Sequence, residues 1–508
     1  MMVYPTKEVF LEKSKEGNLV PVWCEHAAQN ETAVTAYEKV RTFLRDNNQV
    51  SHSYLLESAE GVGKIGRYSF IGGAPRAILR AYGNKVEIED NHSKKTVCDI
   101  DPLEVLKSHM SQYEPVLDDK LESPFIGGAV GFIGYDMVSE FEPRVNRIKK
   151  DDLGAPDMVF MVTDGLIIFD RLKESIITLV HAHIKSDPEI AYELAVQELN
   201  NLELALETRI DIPTTIIPDN ISSLEPRSNT TELEFFNMVD QVKEYIRAGD
   251  VIQTVISQRF EIDNDADSID IYRALREINP SPYMFCLDMA DSAIVGTSPE
   301  IHVRCQNRRV EVRPIAGTRP RGHTEEADKL FEKDLLADPK ELAEHIMLVD
   351  LGRNDIGRVC KYNSVEVEDL MVIERYSHVM HIVSNVIGTL DKDCDIYDVM
   401  RASFPAGTVS GAPKVRAMEI ISELEKSKRG PYAGAVGYFG FDGNFDSAIT
   451  IRTVILDKDK AYVQAGAGIV ADSIPESEYK ETQNKARGMM KALALAQIFN
   501  SERKHKNK

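Results

Sequence analysis

The sequence has few of the features that mark secreted, membrane-spanning or nucleic-acid-binding proteins. No apolar run approaches the roughly 18 residues of a membrane span. Acidic residues outnumber basic ones, 82 to 60, and the formal net charge of −22 argues against the clustered cations that nucleic-acid binding requires. The six cysteines form no C-x-x-C pair, and the N-terminus lacks a basic segment followed by an apolar one. These absences predict a cytoplasmic protein with reduced thiols that binds neither nucleic acid nor a membrane.

What the 508 residues do contain is ordinary globular composition, with 43% hydrophobic and 28% charged residues. Apolar runs at 125–135 and 158–169 predict buried strands, and the segment 187–206 predicts a helix. Thr231 and Glu234 form a capping box at the start of another helix. Because strands and helices mix without a regular βαβ alternation or a repeat, the pattern favours an α+β fold.

One segment divides the chain by composition. Residues 206–230 are rich in Pro, Ser, Thr and Asn and lack sustained periodicity, which is typical of a linker. We therefore predict an N-terminal domain over 10–205 and a catalytic domain over 231–498. The last residues, 499–508, predict a disordered basic tail.

A first pair of glutamates lies on a predicted helix that Asp338 caps and Pro339 begins. Glu341 and Glu344 are three residues apart on one face, and Ile346 belongs to the apolar face. Glu341 also completes a capping box with Asp338, whereas Glu344 has no such structural explanation. The alternatives for Glu344 are a solvated helix face and a metal ligand.

A second carboxylate helix is predicted near the C-terminus. Glu478, Glu481 and Lys485 fall at i, i+3 and i+7, which places them on one face. The simpler explanation is a surface ion pair between Glu481 and Lys485. The alternative is that the two glutamate pairs together hold a hard divalent cation, and magnesium suits a few carboxylates completed by substrate oxygens and water.

Two glycine-containing segments predict backbone suited to ligand approach. The segment 404–430 is a small-residue loop that enters a helix, with Pro413 in the first turn and Gly430 as the stop, and such a helix start attracts anions. Gly466 and Gly468 interrupt a strand, where missing side chains allow close approach. Ordinary structural glycine turns are the alternative for both segments.

Three polar side chains lie in apolar surroundings. Arg452 occupies an apolar strand-like run, which requires an anionic ligand or a buried carboxylate as its partner. His378 and His381 point in opposite directions within a buried strand. Each is either a hydrogen-bonded core histidine or a proton-transfer group that acts near neutral pH.

The order of these motifs resembles that in the chorismate-utilising enzyme family, and most closely in the large subunits (component I) of anthranilate synthases. The motifs are PIAGTRPRG, DPKELAEHIMLVDLGRND, SHVMHIVS, FPAGTVSGAPK, GPYAGAVGYFGFDG, AITIRT, QAGAGIV and DSIPESEYKETQNKA, together with LLES and NPSPYMF. The resemblance implies a two-domain fold whose antiparallel sheets pack as a sandwich with surrounding helices. It implies a Mg²⁺-dependent lyase that converts chorismate and ammonia to anthranilate and pyruvate.

The resemblance also implies roles for individual residues. Glu344 and Glu481 are expected to bind Mg²⁺, and His381 is expected to serve in the proton transfer that accompanies pyruvate loss. The expected catalytic residues are His381, Thr408, Glu341 and Glu478, of which the two glutamates support the metal through water. The expected substrate-binding residues are Gly317, Thr318, Tyr432, Arg452, Gly466, Gly468 and Lys485.

LLES and NPSPYMF match the tryptophan feedback site of the family, and the alternative for both motifs is a packed interdomain contact. The site implies two global states that differ in tryptophan affinity. The expected inhibitor-binding residues are Glu57, Ser58, Pro282, Tyr283, Met284, Val436 and Tyr438.

Two positions separate this chain from some relatives. Ala316 stands where aminodeoxychorismate synthases often carry a lysine, and Gln253 stands near a lysine base of isochorismate synthases. Two alternatives remain open, an aminodeoxychorismate synthase component I of the folate branch and a non-catalytic tryptophan-binding homologue. No cysteine lies in the glycine-flanked nucleophile turn of a glutaminase, so we expect ammonia to come from a partner glutamine amidotransferase subunit (component II).

Overall fold

The chain combines helices with antiparallel strands, and the mixture of the two agrees with the sequence prediction. The computed structural model describes residues 2–28, 31–47, 52–58, 66–90, 93–148, 150–210, 217–218, 221, 224–376 and 379–506, with side chains as far as residue 503. Within these ranges, no helix is both long enough and apolar enough to cross a membrane.

The described helices lie mostly at the edges and outer faces of two sheets. They are α1 (Lys7–Lys13), α2 (Ala33–Asp46), α3 (Pro102–Met110), α4 (Val138–Phe141), α5 (Pro188–Leu206), α6 (Glu232–Ala248), α7 (Ser268–Ile278), α8 (Glu325–Ala337), α9 (Pro339–Gly357), α10 (Ile396–Ser403), α11 (Lys414–Leu424) and α12 (Pro475–Lys506), with short 3₁₀ turns at Tyr135–Met137 and Gly407–Val409.

The described strands vary from two to eleven residues in length. They are β1 (Leu19–Ala27), β2 (His52–Glu57), β3 (Tyr68–Gly73), β4 (Ala77–Tyr82), β5 (Lys85–Asp90), β6 (Lys94–Val97), β7 (Gly128–Ile133), β8 (Met158–Thr163), β9 (Gly165–Asp170), β10 (Ser175–His183), β11 (Arg227–Ser228), β12 (Gln253–Asp263), β13 (Tyr283–Met289), β14 (Ser292–Ser298), β15 (Ile301–Gln306), β16 (Arg309–Val312), β17 (Ile315–Pro320), β18 (Glu366–Arg375), β19 (Val379–Thr389), β20 (Gly411–Ala412), β21 (Ala435–Gly440), β22 (Phe445–Ile449), β23 (Thr453–Asp457) and β24 (Lys460–Ile469).

The strands form two sheets, and each sheet takes strands from both halves of the chain. The first has the order β1-β10-β9-β3-β2-β13-β14-β23-β24-β12-β11, with β20 beside β12. The second has the order β17-β19-β16-β15-β22-β21-β7-β8-β4-β5-β6, with β18 beside β19. The halves join where β2 pairs with β13 and where β7 pairs with β21, both antiparallel. The predicted boundary at 206–230 therefore separates segments that share both sheets.

The inner faces of the two sheets pack directly on each other. One buried cluster contains Phe70 and Phe285 from the first sheet and Phe132 and Tyr438 from the second. The Tyr438 ring lies 4.3 Å from that of Phe125 and 6.1 Å from that of Phe70, centroid to centroid. Aromatic contacts of this kind stabilise a sheet interface beyond the area that they bury. The predicted α+β sandwich of antiparallel sheets is confirmed.

Local signals place several helix ends correctly. The Thr231 hydroxyl accepts from Glu234 N while the Glu234 carboxylate accepts from Thr231 N, which is the predicted capping box. Helix α6 then ends before Gly249, whose φ of 83° lies in the left-handed region that glycine adopts freely. Helix α9 begins at Pro339 behind Asp338, also as predicted.

Three local predictions are wrong. The C-terminal tail is helical, because α12 continues to Lys506 and the Arg503 guanidinium lies 2.6 Å from Asp270 Oδ1. Helix α11 ends at Leu424, well before Gly430, and Pro413 is its N-cap residue. Ile346 is 50% exposed, because α9 buries a neighbouring stripe instead.

Candidate active site and a second cavity

The predicted catalytic, substrate and metal residues line a single cavity of about 540 Å³. Helices α9 and α12 carry the glutamates, β17 and β19 supply one wall, and β24 supplies another. The residues brought together are Gly317, Thr318, Glu341, Glu344, His381, Thr408, Tyr432, Arg452, Gly466, Gly468, Glu478, Glu481 and Lys485. The structure thus brings the two carboxylate helices to one cavity, which the sequence alone did not show. The roles of the individual residues stay predictions.

The glutamates of α9 repel each other in partly buried surroundings. Burial and the nearby Glu344 charge raise the pKa of Glu341. Glu344 Oε1 accepts a hydrogen bond from Gln253 Nε2 at 3.3 Å. The expected capping box is only half formed, because Asp338 accepts from the backbone while the Glu341 carboxylate pairs with Arg319 at 3.4 Å.

The glutamates of α12 repeat this arrangement. Burial and the Glu481 charge raise the pKa of Glu478, although the Ser473 hydroxyl opposes the shift. Lys485 Nζ lies 2.8 Å from Glu481 Oε1 and donates to the Gly466 carbonyl at 3.0 Å. The predicted i, i+4 pair therefore forms, and it faces the cavity.

The donor set of the cavity fits a magnesium ion that substrate completes. Among the residues that the structure describes, no three His, Cys, Asp or Glu side chains form a ready metal cage. Magnesium does not require one, because it usually takes one or two carboxylates and fills the other positions with substrate oxygens and water. Burial and, to a smaller extent, repulsion within each pair raise the pKa of Glu341 and Glu478, and a cation between the two pairs would relieve that repulsion.

Arg452 and Tyr432 are two polar residues in the lining of the same cavity. Arg452 is not inside a strand; it lies between β22 and β23 with a φ of 49°. Burial lowers the pKa of Arg452, against the opposing effect of the nearby Glu300 carboxyl, and its guanidinium makes no hydrogen bond or ion pair within the described ranges. Tyr432 is 6% exposed, and burial raises the pKa of its hydroxyl to about 12, so it remains a neutral donor. Together these two groups suit a carboxylate.

Glycines in β24 and β17 let the side chains of this cavity approach the backbone. A Cβ at Gly466 would lie 2.7 Å from the Tyr432 hydroxyl oxygen, and one at Gly468 would collide with Gln253 Nε2. Gly317 has a φ of 70°, and a Cβ there would lie 3.2 Å from Glu341 Oε2. The missing side chains at Gly466 and Gly468 are therefore occupied by neighbouring groups of the chain, and approach of a ligand there stays a prediction.

His381 has a defined tautomer. Its Nδ1 lies 3.0 Å from the Gly317 carbonyl oxygen and 3.1 Å from Thr318 Oγ1. Because a carbonyl only accepts, Nδ1 donates and Nε2 is left as the basic nitrogen. Burial, opposed by the Gly317 hydrogen bond, lowers the pKa of His381, so the ring is neutral at pH 7. The other candidate, His378, lies outside the described residues.

Sequence reasoning missed Glu300, which lines the cavity between β14 and β15. Burial raises the pKa of Glu300 to about 8, against the opposing effects of the Thr408 hydroxyl, Arg452 and Lys485. A carboxylic acid that is largely protonated at neutral pH is a proton donor. The only sequence signal was a lone glutamate after Pro299 between two apolar runs.

A second cavity, of about 700 Å³, lies between the two sheets. It is bordered by β2 and β13 of the first sheet and by β21 of the second. All seven residues of the predicted inhibitor site line it, namely Glu57, Ser58, Pro282, Tyr283, Met284, Val436 and Tyr438. Its position at the sheet interface is compatible with either the inhibitor site or the packing alternative.

Glu57 is the charged anchor of this second cavity. The carboxylate accepts hydrogen bonds from the Tyr272 hydroxyl at 2.6 Å, from Arg276 Nε at 3.2 Å and from Arg171. It is 5% exposed, and its position is fixed by these donors. A ligand ammonium at Glu57 would therefore join an existing network of two arginines and one tyrosine.

The chain is similar in sequence to a family of known proteins. Residues 51–491 match the family described as chorismate binding enzyme. Anthranilate synthase component 1 of Acetivibrio thermocellus is 46% identical over 97% of this chain and 99% of its own length. The protein of the same name from Pseudomonas putida is 47% identical over 97% and 99%.

Solved structures show the same fold. Anthranilate synthase component I from Streptococcus pneumoniae superposes with a TM-score of 0.75 at 40% identity and covers 85% of this chain and 93% of its own. The menaquinone-specific isochorismate synthase of Escherichia coli has a TM-score of 0.69 at 15% identity, covering 96% and 98%, which bears on the fold alone. The family match over most of the chain, with a cavity that gathers its predicted site residues, shows that the chain belongs to the chorismate-binding enzymes.

Proposed function

We propose that the chain is component I of an anthranilate synthase. It converts chorismate and ammonia to anthranilate and pyruvate, the first committed step of tryptophan biosynthesis. The observation that carries the proposal is the 46–47% identity, over nearly the whole chain, to proteins of that name. Alanine at position 316 and glutamine at 253, both lining the cavity, support it, since neither supplies an amine nucleophile or a strong base. Six free thiols agree with a cytoplasmic location.

Chorismate carries two carboxylates, and the cavity has a place for each. Arg452 and Tyr432 hold the enolpyruvyl carboxylate, because a buried guanidinium without an ion pair in the described residues gains most from an anionic partner. Glu344 and Glu481 would hold Mg²⁺, with Glu341 and Glu478 in support through water. When bound, the ion would supply Lewis-acid polarisation of the ring carboxylate.

The remaining chemistry is proton transfer by the residues of the chain. Ammonia adds to the ring as the ring hydroxyl leaves as water, and protonated Glu300 supplies the proton that this hydroxyl needs. Loss of the proton on the aminated ring carbon then accompanies departure of the enolpyruvyl group and gives the aromatic ring, and the released enolpyruvate takes up a proton to become pyruvate. His381 Nε2 accepts the ring proton, because Nδ1 is engaged with the Gly317 carbonyl.

A fluorescence assay of the purified chain with chorismate, Mg²⁺ and ammonium tests this function. Anthranilate is the expected product, and added tryptophan is expected to suppress it. A non-aromatised amino product would instead identify the chain as an aminodeoxychorismate synthase component I of the folate branch. A folded preparation that consumes no chorismate would contradict the proposal and favour a non-catalytic homologue.

A partner subunit is part of the proposal. We expect glutamine-dependent activity only when a glutamine amidotransferase subunit is added, whereas ammonium alone supports the isolated chain. Glutamine hydrolysis by the purified chain without a partner would contradict this.

Substitution of Ser58 tests the inhibitor site. We expect Ser58→Arg to raise the tryptophan inhibition constant at least about tenfold, a change that needs a loss of only about 1.4 kcal/mol of binding free energy. The added guanidinium reduces the second cavity and repels the ammonium of the inhibitor. Turnover without tryptophan should stay within about twofold, because Ser58 does not line the catalytic cavity.

The matched control for this substitution is Ser58→Ala, which should remain inhibited. Full inhibition of Ser58→Arg by tryptophan would show that this cavity is not the inhibitor site. The LLES and NPSPYMF motifs would then form only a packed interdomain contact.

Substitution of His381 tests its role as a base. We expect His381→Ala to slow pyruvate release about 100-fold, within the range for loss of a general base. Consumption of chorismate should slow less, so that the amino adduct accumulates. A coupled assay for pyruvate, run beside chorismate absorbance, measures the two steps separately.

His381→Asn is the matched control, because its side-chain amide can still donate to the Gly317 carbonyl but cannot act as a base. Equal impairment of both variants supports proton transfer, and near-normal kinetics of His381→Asn would assign His381 a positioning role only.

A further inference from the structure

The largest fully buried side chain among the described residues is an arginine behind the wall of the catalytic cavity. Arg429 has no exposed surface, and it does not itself line the cavity. The buried Glu425 carboxylate accepts from Arg429 Nε at 2.9 Å and from Arg429 Nη2 at 2.7 Å. A buried ion pair contributes little net stability, because the desolvation of two charges offsets their attraction. Stability alone therefore does not explain this pair.

The pair holds the backbone of the cavity wall. Arg429 Nη1 donates to the Val409 carbonyl at 2.9 Å, and Nη2 donates to the Val255 carbonyl at 2.7 Å. Val409 ends the second 3₁₀ turn, Val255 lies in β12, and both line the cavity. Glu425 Oε1 also accepts from the Ser257 backbone N–H at 2.8 Å and from the Ser257 hydroxyl at 2.9 Å. One guanidinium–carboxylate pair thus joins β12 to the 3₁₀ turn.

Arg429 also supports the aromatic ring of Tyr432. The Arg429 Cζ atom lies over this ring, 5.7 Å from its centroid, and over the Tyr135 ring at 4.4 Å. The Tyr135 backbone N–H donates to the Gly430 carbonyl at 2.9 Å, which fixes the segment between Arg429 and Tyr432. Burial raises the pKa of Tyr432, and the Arg429 charge opposes that rise, which makes the hydroxyl a better hydrogen-bond donor. Both the position and the donor strength of the Tyr432 hydroxyl therefore depend on Arg429.

We propose that Arg429 is a positioning residue for chorismate, which acts through Tyr432 and the cavity wall without touching the substrate. This inference rests on the proposed function, in which Tyr432 holds the enolpyruvyl carboxylate. That carboxylate keeps its charge while ammonia adds, so the Tyr432 hydrogen bond stabilises substrate and transition state alike. Loss of such uniform binding raises KM and leaves kcat nearly unchanged. A purely structural role would instead reduce the amount of active enzyme, and hence the apparent kcat, at an unchanged KM.

Substitution of Arg429 by lysine tests this role. Arg429→Lys keeps the buried charge, but an ammonium cannot form two parallel hydrogen bonds to Glu425 and still reach both carbonyls. We expect KM for chorismate to rise at least about tenfold, with kcat within about threefold of the unmodified chain. KM for ammonium should stay unchanged, because ammonium has no carboxylate. Calorimetric titration with chorismate and Mg²⁺, without ammonium, should show the same loss of affinity independently of turnover.

Tyr135 offers a milder change if Arg429→Lys fails to fold. Tyr135 does not line the cavity, and its hydroxyl has no hydrogen-bond partner in the described part of the chain. Tyr135→Leu removes the ring that packs on the guanidinium, and it should raise KM for chorismate at least about threefold. Tyr135→Phe keeps the ring and should behave like the unmodified chain.

Arg76→Lys is the matched control for the arginine substitution. Arg76 Nε lies 2.9 and 2.7 Å from the two carboxylate oxygens of Asp164, and neither residue borders the catalytic cavity. This variant should keep both KM and kcat, and a rise in its KM equal to that of Arg429→Lys would overturn the positioning role. Normal chorismate affinity of folded Arg429→Lys, or equal KM values for Tyr135→Leu and Tyr135→Phe, would overturn it too. An unmodified chain that binds no chorismate would instead overturn the proposed function.

Discussion

Glu300→Gln is expected to lower kcat for anthranilate formation by about 100- to 10,000-fold, the range that a general acid contributes. Glutamine preserves the size of the side chain and can still hydrogen-bond to Thr408, but it has no proton to give to the leaving hydroxyl. Because Glu300 is protonated at neutral pH, an amide adds no new charge to the cavity. The fold should therefore persist, and circular dichroism with a thermal melt checks this.

The pH profile gives a second and more specific readout of Glu300. The acid must be protonated to act, and its pKa is raised to about 8, so kcat of the unmodified enzyme should fall as pH rises through about 8. Glu300→Gln should lose this alkaline limb, since an amide does not titrate there. A variant that keeps both the normal rate and the alkaline limb would remove Glu300 from the mechanism.

Asp442→Asn is the matched control for the Glu300 experiment. Burial raises the pKa of Asp442 to about 6, and this carboxylate borders neither the catalytic nor the second cavity. Neutralising it should leave both kcat and the alkaline limb unchanged. A similar loss in both variants would mean that the effect reflects a general perturbation of buried acids.

The features that sequence predicted well depend on neighbours a few residues away. The capping box of Thr231 and Glu234 and the start of α9 at Pro339 are both formed within one helical turn. The pattern of apolar runs likewise predicted an α+β mixture. Such signals are local because caps and turns satisfy backbone groups near in sequence.

The features that sequence could not predict depend on distant partners. The last residues of α12 form a helix in part because Arg503 pairs with Asp270, more than 200 positions away. The raised pKa of Glu300 depends on burial by segments on both sides of the cavity. No local sequence pattern indicates that burial. Spacing placed Glu341 with Glu344 and Glu478 with Glu481, but only the fold shows that the two pairs share one cavity.

Glu481→Gln is expected to weaken Mg²⁺ binding at least about 100-fold, which is the upper end of the roughly 10- to 100-fold loss that follows removal of an outer-sphere partner. The carboxylate is a proposed ligand, and an amide oxygen without charge holds a hard cation far less strongly. Turnover at ordinary Mg²⁺ concentration should be nearly abolished, and excess Mg²⁺ should restore part of it. Titration of Mn²⁺ by its electron paramagnetic resonance signal, in the presence of chorismate, measures binding without relying on activity.

The fold should survive this change, because the Glu481 side chain is 47% exposed and ion pairs that are this accessible to solvent contribute little to stability. Glu476→Gln, in the first turn of the same helix and outside the cavity, is the matched control and should bind Mn²⁺ normally. Glu481→Gln also releases Lys485, which then faces the cavity without its partner. Rescue by excess Mg²⁺ separates the two effects, because added metal restores an occupied site but does not replace the lost ion pair. Unweakened Mn²⁺ binding by Glu481→Gln would therefore contradict its assignment as a ligand, whatever its activity.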